Sequence, residues 1–252
     1  MAILPNRRGD LPLPKIGTPD LREEFPSFNM SVLECARAAF VTEAADCGHE
    51  RRAMARPRQF EEGAALNAAM LCFWRHGYDA TSIKDLSGAT GLTTASLYNA
   101  FGDKRALYQR AFDHYVEGTI AERIRRLETH PGRDAIAMFF REILDRSLGD
   151  PEHKGCLLVN AALETAQHEP EFRKTVGDLL IRLEAFFRNR VEAGQEDGTI
   201  TRSLPPATLA QHLLGSLMGL RVLARARPER PLLEGVVCSA LALLDRRDGE
   251  RP

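Results

Sequence analysis

The stretch that decides the fold covers residues 77–107 and reads GYDATSIKDLSGATGLTTASLYNAFGDKRAL. Its pattern predicts two short helices separated by a tight turn at Gly91, followed by the capped start of a third helix. Ser82 with Asp85 three residues later is typical of a helix start, and Thr93 can cap the helix that follows. A helix pair of this size is too small to enclose a substrate but fits the major groove of DNA, so the stretch indicates a DNA-binding head.

The helix predicted over residues 94–101 has an apolar and a polar face. Leu97 and Phe101 lie four residues apart, so we expect both to face the core of the head. Hydroxyl and amide groups can bond base edges or phosphates, and methyl groups can touch thymine. The residues left for the DNA side are Thr94, Ala95, Ser96, Tyr98 and Asn99. The alternative is a packed three-helix end of an all-helical protein, in which the hydroxyl residues only cap helices.

Beyond the head, apolar residues recur at helical spacing, and no strand pattern of useful length appears. A long helix is predicted over residues 103–127. Further helices are predicted over residues 133–148, 155–167, 170–194, 205–226 and 231–246. The sequence therefore predicts an all-α fold. A helix-turn-helix head of three helices, residues 54–102, is joined by the long helix to a helical body, residues 103–252.

Residues 1–53 differ from the rest of the chain, because prolines interrupt their first part repeatedly and no periodicity survives there. Met54 then opens a stretch that looks like the natural start of a protein. We interpret residues 1–53 either as a mis-assigned leader, with Met54 as the true start, or as a mostly disordered arm.

The composition argues against several classes of protein. The 252 residues carry a formal net charge of −1, so the positive charge for a DNA contact must be local. The five cysteines are scattered and lack metal-ligand spacing, which argues against a metal site and suits reduced thiols in a cytosol. No apolar run reaches membrane-spanning length and no secretory signal is visible, so we expect a cytoplasmic protein with no membrane contact. Since catalytic and phosphate-loop motifs are absent, we expect no cofactor and no enzyme activity.

The head resembles that of the TetR/AcrR family of tetracycline-repressor-like regulators. The match covers about fifty residues in order and at the family's spacings, which is more specific than one short motif. The matching residues are Phe73, Gly77, Tyr78, Thr81, Ser82, Ile83, Leu86, Ala89, Gly91, Leu92, Leu97, Tyr98, Phe101, Lys104 and Leu107. The body also resembles family members with a Gly-Cys-Leu run, here residues 155–157.

The resemblance implies a ligand-responsive transcriptional regulator, most often a repressor, on a palindromic double-stranded DNA operator. It assigns phosphate contacts to Thr81, Tyr98 and Lys104, and we add Thr93 to the DNA-binding set. It also implies a homodimer formed by helices 205–226 and 231–246, whose apolar residues could equally serve the core of one chain. A helical enzyme, or an interaction protein without DNA binding, is the alternative.

A regulator of this kind needs a small-molecule inducer, so we expect a pocket among the helices of the body. The candidate ligand or sensor residues are Tyr115, Phe139, Cys156, Asn160 and Phe172. Apolar walls with few polar groups suit a small hydrophobic inducer. The alternative is that nearly all of these residues belong to the core.

Cys156 is open to two interpretations. It lies at a predicted helix N-terminus beside Lys154, a setting that favours the thiolate form of a cysteine. Some relatives with a cysteine in this run respond to electrophiles, so the resemblance makes an electrophilic inducer possible. The other interpretation is a buried small apolar residue.

Overall fold

Helices account for most of the chain that the computed structural model describes, residues 61–164 and 169–246. No strand occurs within these ranges, as the sequence predicts. The helices are α1 (Glu62–His76), α2 (Ile83–Thr90), α3 (Thr94–Phe101), α4 (Lys104–Tyr115), α5 (Glu122–Leu127), α6 (Gly132–Leu148), α7 (Leu157–Glu164), α8 (Pro170–Glu196), α9 (Pro206–Ala226) and α10 (Arg230–Ala242). The predictions for residues 1–53 and for a start at Met54 lie outside the described residues.

Local signals set the ends of the head helices α1 to α3. The Ser82 hydroxyl accepts from the backbone N–H of Asp85, and the Asp85 carboxylate accepts from Ser82 in return, which completes the predicted capping box. Gly91 ends α2 with a φ of 70°, a left-handed conformation that glycine adopts without steric cost. The three helices then close over a small core that includes Leu86, Leu97 and Phe101.

The long helix predicted over residues 103–127 is not regular. Between α4 and α5, residues 116–121 form a π-helical turn. The Thr119 hydroxyl donates to the Tyr115 carbonyl oxygen at 2.6 Å, one turn earlier. A π turn inserts an extra residue into the helix and is frequent at functional sites. This turn could not be predicted from the sequence, because the apolar spacing continues across it.

The body packs α8 against α9 and α6, and α10 against both α9 and α6. Helices α6 and α8 approach each other closely at two glycines, Gly132 and Gly194. A Cβ on Gly132 would overlap the carbonyl oxygen of Arg190 and lie 2.6 Å from the nitrogen of Gly194. Only glycine therefore permits this crossing, because the obstructing atoms belong to backbone.

An aromatic cluster joins the head to the body. Tyr108 of α4 packs at 4.9 Å from the Phe73 ring of α1 and at 5.0 Å from the Phe172 ring of α8. The ion pair of Arg105 with Glu171 lies beside these rings. Because aromatic pairs of this kind add to the burial of their own surface, the head is held firmly on the body. None of the described helices is long and apolar enough to span a membrane.

Candidate nucleic-acid interface and internal cavity

Helix α3 presents a polar face to solvent. Leu97 and Phe101 are 2% and 4% exposed and face inward, as predicted. Thr94 and Ala95 lie one turn before Tyr98 and Asn99, and all four side chains are exposed. Tyr98 is 48% exposed, which is unusual for a large aromatic ring with no other role. The helix thus offers a hydroxyl, a methyl, a phenol and an amide on one free surface.

Thr93 and Ser96 have a structural task at the start of α3. The Thr93 hydroxyl oxygen accepts from the backbone N–H of Ser96 at 3.1 Å, and the two hydroxyls lie 2.9 Å apart. Thr93 is therefore the N-cap of α3, as the sequence predicts. Contact of Thr93 and Ser96 with DNA stays a prediction, and both side chains lie at the N-terminal end of α3.

Thr81 is placed differently from the other predicted DNA-binding residues. Its side chain is 1% exposed, and its hydroxyl donates to the Gly77 carbonyl oxygen at 2.6 Å. The phosphate contact of Thr81 stays a prediction, but the hydrogen it would donate is already used within the chain.

Two lysines lie near α3, Lys84 in the head and Lys104 at the start of α4. The Lys104 ammonium lies 3.3 Å from the Asp79 carbonyl oxygen and 4.5 Å from the centre of the Tyr78 ring. Lys84, in the first turn of α2, is exposed. Among the described residues of the head neither lysine has a carboxylate partner within ion-pairing distance, whereas Arg75 is paired with Glu152.

Sequence reasoning missed Lys84, although a signal was available. A cation in the first turn of a helix is electrostatically unfavourable, because the helix dipole is positive at that end. A lysine at that position is therefore a candidate for contact with an anion. Lys84 thus joins Lys104 as a candidate for phosphate contact.

The body contains a partly open cavity of about 180 Å³. Three of the predicted ligand or sensor residues, Tyr115, Phe139 and Cys156, line it. The cavity extends from the π turn and α5 to α6, the loop before Cys156, and α9. The lining thus includes α9, a helix that the resemblance also assigns to the dimer.

The walls of the cavity are more charged than the predicted apolar lining. Arg123, Arg146 and Arg221 all line it. The Arg123 side chain donates to Glu142 at 2.9 Å. Burial raises the pKa of Glu142, but hydrogen bonds from Arg126 and Arg123 outweigh this and leave the pKa below its ordinary value.

Cys156 is the residue immediately before α7, and it is 7% exposed. Its Sγ lies 3.7 Å from the Tyr115 hydroxyl. Burial and the neighbouring thiol raise the pKa of Tyr115, so the phenol stays protonated. The Lys154 ammonium is bound by Asp150 and Glu152, each at 2.7 Å. This neighbouring charge is therefore compensated rather than directed at the sulfur.

Asn160 and Phe172 do not line the cavity. Asn160 is buried, and its amide donates to the Lys154 carbonyl oxygen at 3.2 Å, so it fixes the loop behind the cavity wall. Phe172 belongs to the aromatic cluster between head and body. Cys72 is buried, whereas Cys238 is exposed on α10. No group of metal-binding side chains occurs within residues 61–164 and 169–246.

A helix-turn-helix head with an exposed polar helix, attached to a helical body with an internal cavity, defines a DNA-binding regulatory protein. Comparison with known proteins identifies the family. The model described as bacterial regulatory proteins, tetR family, matches residues 65–111. The model described as tetracyclin repressor-like, C-terminal domain, matches residues 132–237. The chain belongs to the TetR family and is a transcriptional regulator, not an enzyme.

Individual relatives agree with this assignment. The chain is 32% identical over 196 residues to YezE, an uncharacterized HTH-type transcriptional regulator of Bacillus subtilis, covering 76% of this chain and 100% of YezE. It is 28% identical to the HTH-type transcriptional repressor ComR of Escherichia coli, covering 73% of this chain and 88% of ComR. A cysteine mutant of the TetR-family regulator CifR, solved with a 26-base-pair operator, has a TM-score of 0.67 and 34% identity, covering 74% of this chain and 98% of that chain.

Proposed function

We propose that this regulator is a cytoplasmic repressor that binds a palindromic operator as a homodimer and leaves it when a small molecule enters the cavity of the body. The observation that supports DNA recognition most directly is the free polar face of α3 beside Lys84 and Lys104. The contact residues we propose are Thr94, Ala95, Ser96, Tyr98, Asn99, Lys104 and the newly found Lys84.

The surface of α9 and α10 supports the proposed dimer. Their apolar residues divide into two sets: Leu213 and Leu233 are buried within the chain, whereas Val222 is 46% exposed. Cβ atoms on Gly215 and Gly219 would meet no atom within 4 Å. A helix face that is both apolar and free of obstruction suits close packing against the same face of a second copy. Two chains would then contribute two helices each to a bundle.

The cavity is connected to the head through one loop. The indole N–H of Trp74, in α1, donates to the Lys154 carbonyl oxygen at 3.2 Å. The Trp74 ring also packs edge-on to the Tyr115 ring at 5.2 Å. A ligand that displaces this loop or the adjacent π turn would therefore act on α1 and α4 together. In a dimer, that movement would change the separation of two heads that must fit grooves about 34–36 Å apart, or a multiple of it.

Capture and sequencing of genomic fragments by the purified full-length chain tests the DNA-binding part of the proposal. We expect a small set of fragments that share an inverted repeat, and we expect Asn99→Ala to alter base preference. Recovery of fragments with no common sequence would contradict operator recognition.

The dimer has a separate test with a matched control. Val222→Asp should convert the dimer to a monomer in light scattering after size exclusion, because the carboxylate would be buried between apolar helices. The control is Ile181→Asp, the same type of change at a residue of α8 that is 66% exposed, and this variant should remain a dimer. A monomeric wild type, or a Val222→Asp chain that stays dimeric, would argue against this interface.

The electrophile hypothesis for Cys156 is supported by its position in the cavity wall. If an electrophile such as N-ethylmaleimide releases the operator through this thiol, Cys156→Ser should abolish the release. Release that persists in Cys156→Ser would exclude the thiol and leave reversible binding in the cavity as the trigger.

A further inference from the structure

Not every arginine of the cavity is paired with a carboxylate of the described residues. Arg221 of α9 is 8% exposed, and its guanidinium donates only to neutral oxygens, the Ser147 hydroxyl at 2.6 Å and the Gly155 carbonyl at 2.5 Å. The Nε of Arg221 is buried without a hydrogen-bond partner. A buried cation needs a compensating charge, and an unpaired buried donor is costly. The charge of Arg221 is thus uncompensated by any ion pair among the described residues.

Two more guanidinium groups share the cavity with Arg221. Arg123 is 4% exposed and has Glu142 as its partner. Arg146 is exposed and makes no hydrogen bond or ion pair with any described residue. Desolvation and the nearby charges of Arg123 and Arg221 lower the pKa of Arg146, and Tyr115 and Glu142 act in the opposite direction. The lining of the cavity holds more cationic than anionic side chains.

The acidic groups near the cavity do not remove this excess. Asp150 also lines the cavity, but it is bound to the Lys154 ammonium at 2.7 Å. Glu142 is shared between Arg123 and Arg126, at 2.9 and 2.8 Å. Since both carboxylates already have cationic partners, Arg146 and Arg221 form no ion pair within the part of the chain that the structure describes.

The rest of the lining sets the size and polarity of the molecule that fits. Phe139, Leu183 and Leu217 contribute apolar walls beside the guanidinium groups. An apolar cavity of about 150 Å³ accommodates a benzene ring, so about 180 Å³ holds one ring and a small substituent. Guanidinium groups present paired donors that match the two oxygens of a carboxylate.

We propose that the cavity binds a small organic carboxylate with an apolar group of about one ring, anchored by Arg221 and Arg146. This inference rests on the proposed ligand-responsive function and names the chemical class of the inducer. The carboxylate would compete with the Gly155 carbonyl for Arg221. The same loop is held from the head through the Trp74 bond to Lys154, so release of Gly155 would loosen the attachment of α1.

Binding can be measured on the full-length protein without DNA, by calorimetry and thermal shift. The probes are benzoate and phenylacetate, each compared with its neutral amide, benzamide and phenylacetamide. We expect at least one carboxylate to raise the Tm and to bind at least tenfold more tightly than its amide. Equal binding of acid and amide, or no binding of either carboxylate at millimolar concentration, would overturn the proposal.

Variants assign the effect to the arginines. Arg146→Gln removes no hydrogen bond from the described structure, so the variant should fold, and it should bind the carboxylate about tenfold more weakly or worse. Arg221→Gln should lose more, and if it fails to fold, Arg146→Gln still decides the question. Arg188→Gln removes an equal charge from an exposed position of α8 and should bind like the wild type. Wild-type affinity in Arg146→Gln would refute the proposed anchor.

The outcome is independent of operator recognition. If no genomic fragment is captured but the carboxylate binds, the cavity assignment stands and the repressor proposal fails. If fragments are captured and neither carboxylate binds, the repressor proposal stands and the ligand class is wrong. A carboxylate that binds to the cavity and lowers DNA affinity supports both.

Discussion

Replacement of Lys104 by glutamine tests the electrostatic role of the head. Among the described residues, the ammonium is bound only by the Asp79 carbonyl oxygen at 3.3 Å and the face of the Tyr78 ring. An exposed cation–π contact contributes only about 0.5–1 kcal/mol, so the variant should fold. If each head neutralises one phosphate through Lys104, a dimer loses two such contacts. The slope of log K against log salt should then fall by about 1.8.

Fluorescence anisotropy with a captured genomic fragment measures this slope between about 50 and 200 mM salt. Over that range the wild type should lose about 12-fold more affinity than Lys104→Gln does, since the concentration ratio of about four is raised to the power of about 1.8. Arg188→Gln provides the control, because it removes the same formal charge from an exposed helix of the body. An unchanged slope in Lys104→Gln would refute the phosphate contact, and an equal change in Arg188→Gln would show that the effect is one of net charge alone.

Three further changes probe the fold and the coupling. Gly132→Ala should lower the free energy of unfolding in urea titrations by about 1–3 kcal/mol, because the added Cβ would meet backbone atoms. The control is Gly177→Ala, whose Cβ would meet no atom within 4 Å, and it should raise the free energy of unfolding by up to about 1 kcal/mol. The pKa of Glu142 in the folded protein lies below its ordinary value of 4.5, so the carboxylate stabilises the fold above pH 4.5 and loses this contribution as the pH falls through the folded pKa. Glu142→Gln should therefore lose less stability to urea at acidic pH than the wild type does, and an equal dependence of stability on pH in the two proteins would contradict this. Trp74→Phe removes the hydrogen bond to Lys154 and should weaken the effect of ligand on DNA binding. The ligand affinity measured without DNA should stay within about threefold of the wild-type value, a combination that a general loss of folding would not produce.

The outward face of α3 could be predicted because its determinants are local. Thr93 caps the helix, and the four-residue spacing of Leu97 and Phe101 fixes which side is buried. The opposite side, with Tyr98 and Asn99, is then exposed by geometry alone. The same local reasoning predicts the ends of the body helices to within a few residues, except the end at residue 167, which lies outside the described residues. The π turn could not be predicted in this way, because Val116 and Ile120 keep an ordinary helical spacing.

The sequence by itself determined the all-helical architecture and the polar face of the head, since capping and periodicity act within one or two turns of chain. Tertiary structure alone decided the composition of the cavity. Arg123, Arg146 and Arg221 are separated by 23 and 75 positions, and only the packing of α5, α6 and α9 brings them to one space. Tertiary structure also decided which leucines of α9 are buried in the core and which of its side chains are exposed. The spacing along α9 does not determine this, because burial depends on which helices pack against each of its faces.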